Sequence, residues 1–188
     1  MLSKVVEEIS DTITAAIKGA DDILTSLRTA VKNQVGGSLK DVGELTGTTM
    51  GVVSDTVAAA LKSASTMGTS VVDATKQAVM GAVSAVADAG GSVVDAVNTS
   101  VSGAVKAAGD VGGDVGKIAV SAVEGAIDSV GKLGKDTSEA AGAAVMSALK
   151  AAEGIGDESA RTVRQALMSA ASLPRDVVER VLKGSKDA

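Results

Sequence analysis

The repeat that decides the fold is clearest at residues 67–88, which read MGTSVVDATKQAVMGAVSAVAD, and at residues 89–110, which read AGGSVVDAVNTSVSGAVKAAGD. Counting outward from these two segments divides the chain into eight 22-residue units, which start at residues 1, 23, 45, 67, 89, 111, 133 and 155. The units follow one another without an insertion, and a tail follows from Val177. Self-similarity at a fixed period of this size is typical of repeat architectures.

Within a unit the apolar residues recur at positions 1, 5, 9, 13, 17 and 20, which is six apolar steps in 22 residues. That is about 3.67 residues per step, the period of a helix, and it predicts an all-α fold with no β-sheet. Positions 13, 16 and 17 hold small apolar residues in every central unit, and we predict that they form a face for association between copies of the chain. This predicted assembly face comprises Val57, Val79, Val101, Val123, Val145, Ala60, Ala82, Ala104, Ala126, Ala148, Leu61, Val83, Val105, Ile127 and Leu149.

The same 22-residue period carries signals for the ends of helices. Glycine at position 2 suits a helix C-terminus, and a polar residue two places later suits the next N-cap. Three of these polar residues have an acid three residues on, as in a capping box: Ser70 with Asp73, Ser92 with Asp95, and Asp136 with Glu139. The predicted turn glycines are Gly68, Gly90, Gly112, Gly134 and Gly156.

Two all-α architectures fit these eight helical repeats. The unbroken phase favours long, segmented amphipathic helices, because one inserted residue would rotate the apolar face of a long helix by about 100°. The glycines and caps favour an array of short helices, each of about 17 residues and about 26 Å, joined by glycine turns. In the first two units we expect breaks at Gly19 and at Gly36–Gly37, and we expect a final helix that follows Pro174 and ends at Gly184.

Charge density divides the chain into three segments. Residues 45–156 form an Ala/Val/Gly-rich centre with 18 charged residues in 112. Residues 1–44 carry 12 charges in 44, and residues 157–188, which include the last repeat and the final helix, carry 11 in 32. More polar terminal repeats are what a repeat protein needs to cap an apolar middle.

The composition argues against an enzyme. The chain has no His and no Cys, so it lacks an imidazole base, a thiolate and the usual zinc ligands. Two Ser-x-x-Lys pairs occur, Ser129/Lys132 and Ser147/Lys150, without the Lys-Thr-Gly motif that accompanies such pairs in acyl-transfer enzymes. The glycine-rich residues 109–117 lack the first Gly and the Ser or Thr of a phosphate-binding loop. We predict no catalytic residue, no cofactor, no metal and no small-molecule substrate.

Net charge and hydropathy limit the partners. A formal charge of −5 argues against nucleic acid, which needs clustered Lys and Arg. Neither a secretory signal nor a run of about 20 apolar residues is visible, which predicts a cytoplasmic location, and non-classical export to the surface is compatible with the sequence. The most favoured partner is another copy of the chain, and a lipid surface is the second choice.

The period resembles that of proteins with 11- or 22-residue amphipathic-helix repeats: exchangeable apolipoproteins, perilipins, synucleins and group 3 late-embryogenesis proteins. The resemblance covers nearly the whole chain and is one of period, with no shared motif. It implies an amphipathic helix lying on a surface or a partner, and it assigns no role to any particular residue.

Three functions therefore stand side by side. The first is a structural protein that self-associates into a filament, sheath or bundle, because small residues let helices pack closely. The second is an amphipathic coat on a membrane, lipid droplet or storage granule, although the apolar arc has no aromatic residue and acids outnumber bases. The third is a late-embryogenesis-like protectant, for which a mean hydropathy of +0.29 is high.

Overall fold

The fold is a stack of short α-helices. The computed structural model describes residues 2–20, 22–42 and 47–184, and over these residues the chain forms nine helices and no strand. The helices are α1 Leu2–Ile17, α2 Ile23–Val42, α3 Gly47–Thr66, α4 Val71–Asp88, α5 Val93–Asp110, α6 Val115–Lys132, α7 Thr137–Ile155, α8 Asp157–Ser169 and α9 Arg175–Gly184. The short-helix alternative is confirmed, and the expectation of long segmented helices is wrong. The predicted boundary between residues 44 and 45 lies outside the described residues.

Glycine turns end the central helices as the sequence indicates. Gly68, Gly90, Gly112 and Gly134 have φ angles of +70°, +76°, +65° and +68°. The residue after each glycine donates its backbone N–H to a carbonyl five residues earlier, as Gly91 does to Val86 at 2.9 Å. This 6→1 bond is the signature of the Schellman motif and satisfies a carbonyl that the helix end leaves open. Each central helix therefore stops at its glycine and the chain reverses direction.

The predicted N-caps begin the next helices. The hydroxyl oxygens of Ser70 and Ser92 accept the backbone N–H of Asp73 and Asp95, at 3.3 Å and 3.2 Å. Asp136 caps one residue nearer, accepting the N–H of Ser138 at 2.8 Å. These bonds satisfy N–H groups that have no partner inside the helix.

Three junctions differ from the central ones. Gly156, with φ +152°, is the single residue between α7 and α8, so no Schellman turn forms there. Gly19, with φ +82°, ends α1 as expected. The break expected at Gly36–Gly37 is absent, because α2 runs through both residues. Neither glycine has the positive φ that ends a helix in the central units.

Alternate helices form two layers. Every helix has its most extensive contact with a helix two places away in the chain, and its contacts with its immediate neighbours are smaller than that. The odd-numbered helices, α1, α3, α5, α7 and α9, therefore form one layer, and α2, α4, α6 and α8 form the other. One continuous hydrophobic core runs between the layers from Ile9 to Leu182.

Candidate functional site

The predicted assembly face lies inside the chain. Fourteen of its fifteen residues have 0–1% of their surface exposed, and the remaining one, Ile127, is half-buried against the same core. Helices of the same chain cover the fourteen buried side chains on every side. They form the core of one molecule, so any self-association of the folded protein has to use other surfaces.

A glycine column lets the helices of one layer approach closely. A Cβ added to Gly125 in α6 would lie 2.7 Å from the Lys76 carbonyl oxygen of α4. A Cβ added to Gly103 in α5 would lie 2.8 Å from the carbonyl oxygen of Ser54 in α3. Both distances are shorter than a carbon–oxygen contact allows, so any larger residue would push the two helices apart.

Sequence reasoning missed this column, although the signal was present. The column is position 15 of the unit, which holds Gly37, Gly81, Gly103 and Gly125. These glycines lie within helices, where glycine is unfavourable by about 1 kcal/mol relative to alanine. A residue that disfavours the helix and still recurs indicates a close helix crossing. At Gly81 a Cβ would meet the carbonyl oxygen of Arg28, whereas at Gly37 it would meet no atom within 4 Å.

Hydrogen bonds link helices of the same layer in one register. The Ser121 hydroxyl donates to the Val72 carbonyl oxygen at 2.6 Å, and the Ser147 hydroxyl donates to Asn98 Oδ1 at 2.7 Å. Both bonds join residues 49 apart, which is two 22-residue units plus five. Each helix is therefore shifted by about five residues, or roughly 7–8 Å, against the parallel helix beside it.

The outer surfaces of the two layers differ at position 18 of the unit. The odd-numbered units carry a lysine there each time, and we call Lys18, Lys62, Lys106 and Lys150 the lysine row. In the even-numbered units the residue at position 18 varies: it is Lys40, Ser84, Asp128 and Ser172 in turn. Lys18, Lys106 and Lys150 are exposed, and Lys62 is half-buried. The outer face of the odd layer thus repeats every 44 residues.

Two lysines of the even layer, on α2 and α4, are paired with acids on the next helix of that layer. Lys32 Nζ lies 2.6 Å from Asp88, and Lys76 Nζ lies 2.7 Å from Asp128. The hydrogen bond with Asp128 raises the pKa of Lys76, against the opposing effect of its partial burial. In the odd layer Lys62 has a longer pair at 3.4 Å with Glu7. The rest of the lysine row has no ion pair with any residue that the structure describes.

Two open hollows lie on the outer face of the odd layer. One, of about 380 Å³, is lined by Ser54, Asn98, Thr99, Ser102, Lys106, Ser147 and Lys150. The other, of about 670 Å³, lies where α1, α3 and α5 meet and is lined by Val6, Ala58, Lys62, Ser65, Thr66, Ala107, Asp110 and Val111. Their walls are small side chains, hydroxyls and lysines, which suit a docking surface better than an enclosed substrate site.

Three aspartates have shifted pKa values for local reasons. Burial on α3 raises the pKa of Asp55. The backbone N–H of Lys117 lowers the pKa of Asp114, which caps α6, by stabilising its charged form. The hydroxyl of Thr25 does the same for Asp22, before α2. Two of these groups serve as helix caps, and the third, Asp55, is half-buried.

The two Ser-x-x-Lys pairs show no catalytic arrangement. The Ser129 hydroxyl is buried, where no substrate can reach it, and the Ser147 hydroxyl is bonded to Asn98. Within the described part of the chain, no three or more Asp and Glu residues are grouped so that they could hold a metal ion. Among the same residues, no helix combines the length and apolarity needed to cross a bilayer.

Comparison with known proteins supports the fold alone. No protein-family model and no curated protein matches the chain. Among solved structures, the crystal structure of the de novo designed helical repeat protein DHR7 is similar, with a TM-score of 0.53 and 17% identity. The match covers 99% of this chain and 97% of the designed one. The chain therefore has an all-α helical-repeat fold.

Proposed function

We propose that the chain is a non-enzymatic structural subunit: a self-contained stack of helices that associates with other copies through its outer surface. The apolar columns of the repeat are then what holds each subunit together. The core is complete within one chain, since those columns are 0–1% exposed apart from Ile127. A protein with this architecture needs no lipid or partner in order to fold.

The regular outer face of the odd layer carries this proposal. Folding requires the core positions of a repeat protein to recur, and it makes no such demand of positions that face water. Even so, Lys62, Lys106 and Lys150 recur on successive odd helices, while the matching positions of the even layer vary. A repeated surface offers several equivalent contacts, and contacts that form together give an avidity that a single contact lacks.

The lipid-coat and protectant alternatives predict different behaviour in solution. Both require the chain to be largely unfolded, or open, until it meets a surface or dries. Burial of the repeat's apolar residues within the chain counts against both alternatives, because an interfacial helix keeps its apolar face free for the membrane.

Circular dichroism and sedimentation velocity in lipid-free buffer test the proposal. We expect strong helicity, one cooperative melting transition and a sedimentation coefficient that rises with protein concentration. Helicity that appears only with vesicles, together with co-flotation, would replace the proposal with the lipid coat. If the chain is folded but stays monomeric at every protein concentration, the proposed self-association is contradicted and the fold is not.

A further inference from the structure

The outer face of the odd layer carries a second row of charges beside the lysine row. Position 7 of the unit is acidic on three of the four long odd helices, and we call Glu7, Asp95 and Glu139 the acidic row. All three are exposed. Positions 7 and 18 are eleven residues apart, which is three helical turns and about 16 Å along the axis, so both rows lie on the same side of the layer.

The helix dipole does not account for this separation. Acids near helix N-termini and lysines near C-termini complement the dipole of any helix. Every helix has the same dipole, yet α6 carries the reverse arrangement, with Lys117 at position 7 and Asp128 at position 18. The separation into two rows is therefore a property of the odd layer.

The central part of the two rows is unpaired. Near the N-terminus one residue of each row forms an ion pair within the chain, since Lys62 pairs with Glu7. Further along, Asp95, Glu139, Lys106 and Lys150 make no ion pair with any described residue. Between the rows lie half-buried residues, mostly small: Thr99, Ser102, Ala143 and Met146. Between two lines of free charge, the surface therefore consists mostly of small side chains around the open hollow that Thr99 and Ser102 help to line.

We propose that a second copy of this chain docks here, odd layer against odd layer, about a two-fold axis that lies between the two rows. This inference rests on the proposed self-association and names its surface. A two-fold axis running between the rows brings the lysine row of each copy opposite the acidic row of the other. A partner of one charge would match one row and be repelled by the other, whereas a second copy matches both.

The available area suits a dimer of ordinary size. The helices α3, α5 and α7 are each about 27–30 Å long and lie about 9 Å apart, which gives a face of roughly 750 Å². Stable dimers bury about 800 Å² on each partner. With few large apolar side chains and several ion pairs, the dimer would depend strongly on salt.

A charge-swap experiment tests the proposal. Lys106→Glu with Lys150→Glu makes both rows acidic, and Asp95→Lys with Glu139→Lys makes both rows basic. Ser92 caps α5 through the backbone N–H of residue 95, which survives the substitution. Lys132→Glu with Arg161→Glu is the matched control: both residues are exposed on even helices, and the net charge falls by the same four units. Circular dichroism verifies that each variant is folded.

We expect the wild type and the control to dimerise alike in sedimentation equilibrium, and each face variant to bind itself at least about tenfold more weakly. Mixing the two face variants should restore dimers, because an acidic face then meets a basic one. Raising the salt from about 0.05 M to 0.5 M should weaken the wild-type dimer. If the wild type dimerises and neither pair of face substitutions changes the dimer affinity, the docking surface is wrong, although the chain still self-associates. A wild type that is monomeric throughout would overturn the self-association on which this inference rests.

Discussion

Gly125 of α6 and the backbone of Lys76 in α4 are in direct contact: a Cβ on the glycine would lie 2.7 Å from the Lys76 carbonyl oxygen and 3.2 Å from its Cα. The relationship repeats in the other layer between Gly103 and Ser54. Helix surfaces that meet backbone to backbone leave no room for a side chain. Glycine therefore sets the helix spacing at these two crossings, and the large side chains fill the space between the layers.

Gly125→Ala should destabilise the fold by about 1–3 kcal/mol, because the added methyl group forces α6 away from α4. Gly51→Ala is the matched control, since Gly51 is an exposed residue of α3 with open space around it. There the better helix propensity of alanine should stabilise the fold by up to about 1 kcal/mol. Urea unfolding measures both. If the two substitutions change the free energy of unfolding equally and in the same direction, the close crossing at Gly125 is contradicted.

Leu61→Ala should destabilise the fold by about 2–5 kcal/mol, because Leu61 is fully buried and its loss leaves a cavity. Met168→Ala should change stability by less than about 0.5 kcal/mol, because 53% of Met168 is exposed. The effect of Leu61→Ala should not depend on protein concentration. A loss of stability that disappears at high protein concentration would indicate that Leu61 lies in an interface between copies of the chain.

Gly112→Ala should destabilise the fold by about 1–2 kcal/mol, because alanine is strained at the φ of +65° that this turn requires. Gly109→Ala serves as its control three residues earlier: it lies within α5 and has no atom within 4 Å of the added Cβ. That substitution should be neutral or slightly stabilising. Thermal melting followed by circular dichroism compares the two, and a reversed order would contradict the glycine turn.

Asp55→Asn should raise the melting temperature at neutral pH. Burial raises the pKa of Asp55 in the folded chain, so the charged carboxylate opposes folding once the pH is above that raised value. Below about pH 4, the aspartate is protonated in the unfolded chain as well, and the advantage of asparagine should vanish. Melting curves between pH 3 and pH 8 test the sign. An advantage that grows as the pH falls would contradict the burial argument.

Local features of the fold could be predicted from the sequence, and the pairing of the helices could not. Helix period, the glycine at Gly112 and the cap at Ser92 act within a few residues of one another, so each can be recognised in a single unit. Val101 and its equivalents are apolar in both layers, and their burial depends on which helix covers them. The apolar pattern of one unit does not indicate whether the covering helix belongs to the same chain or to another copy.

The candidate surface was hidden for a related reason. Lys106 is at position 18, which is lysine in every odd-numbered unit and variable in the even-numbered ones. This difference between odd and even units can be interpreted only once the helices are known to stack in two layers. A 22-residue alignment merges its odd and even members and so conceals a 44-residue period. The close crossing at Gly103 was concealed as well, because a glycine within a helix is ordinarily a weakness of that helix.

The distance between residues 73 and 117 shows whether the repeat folds back on itself into two layers. Asp73 and Lys117 are exposed, occupy the same position on α4 and α6, and lie off the proposed docking face. With a spin label at each, introduced through cysteine, double electron–electron resonance in dilute, lipid-free buffer should give a distance on the order of 10–20 Å, as for neighbouring helices of one layer. A distance near 66 Å, the length of 44 residues of continuous helix, would contradict the two-layer fold.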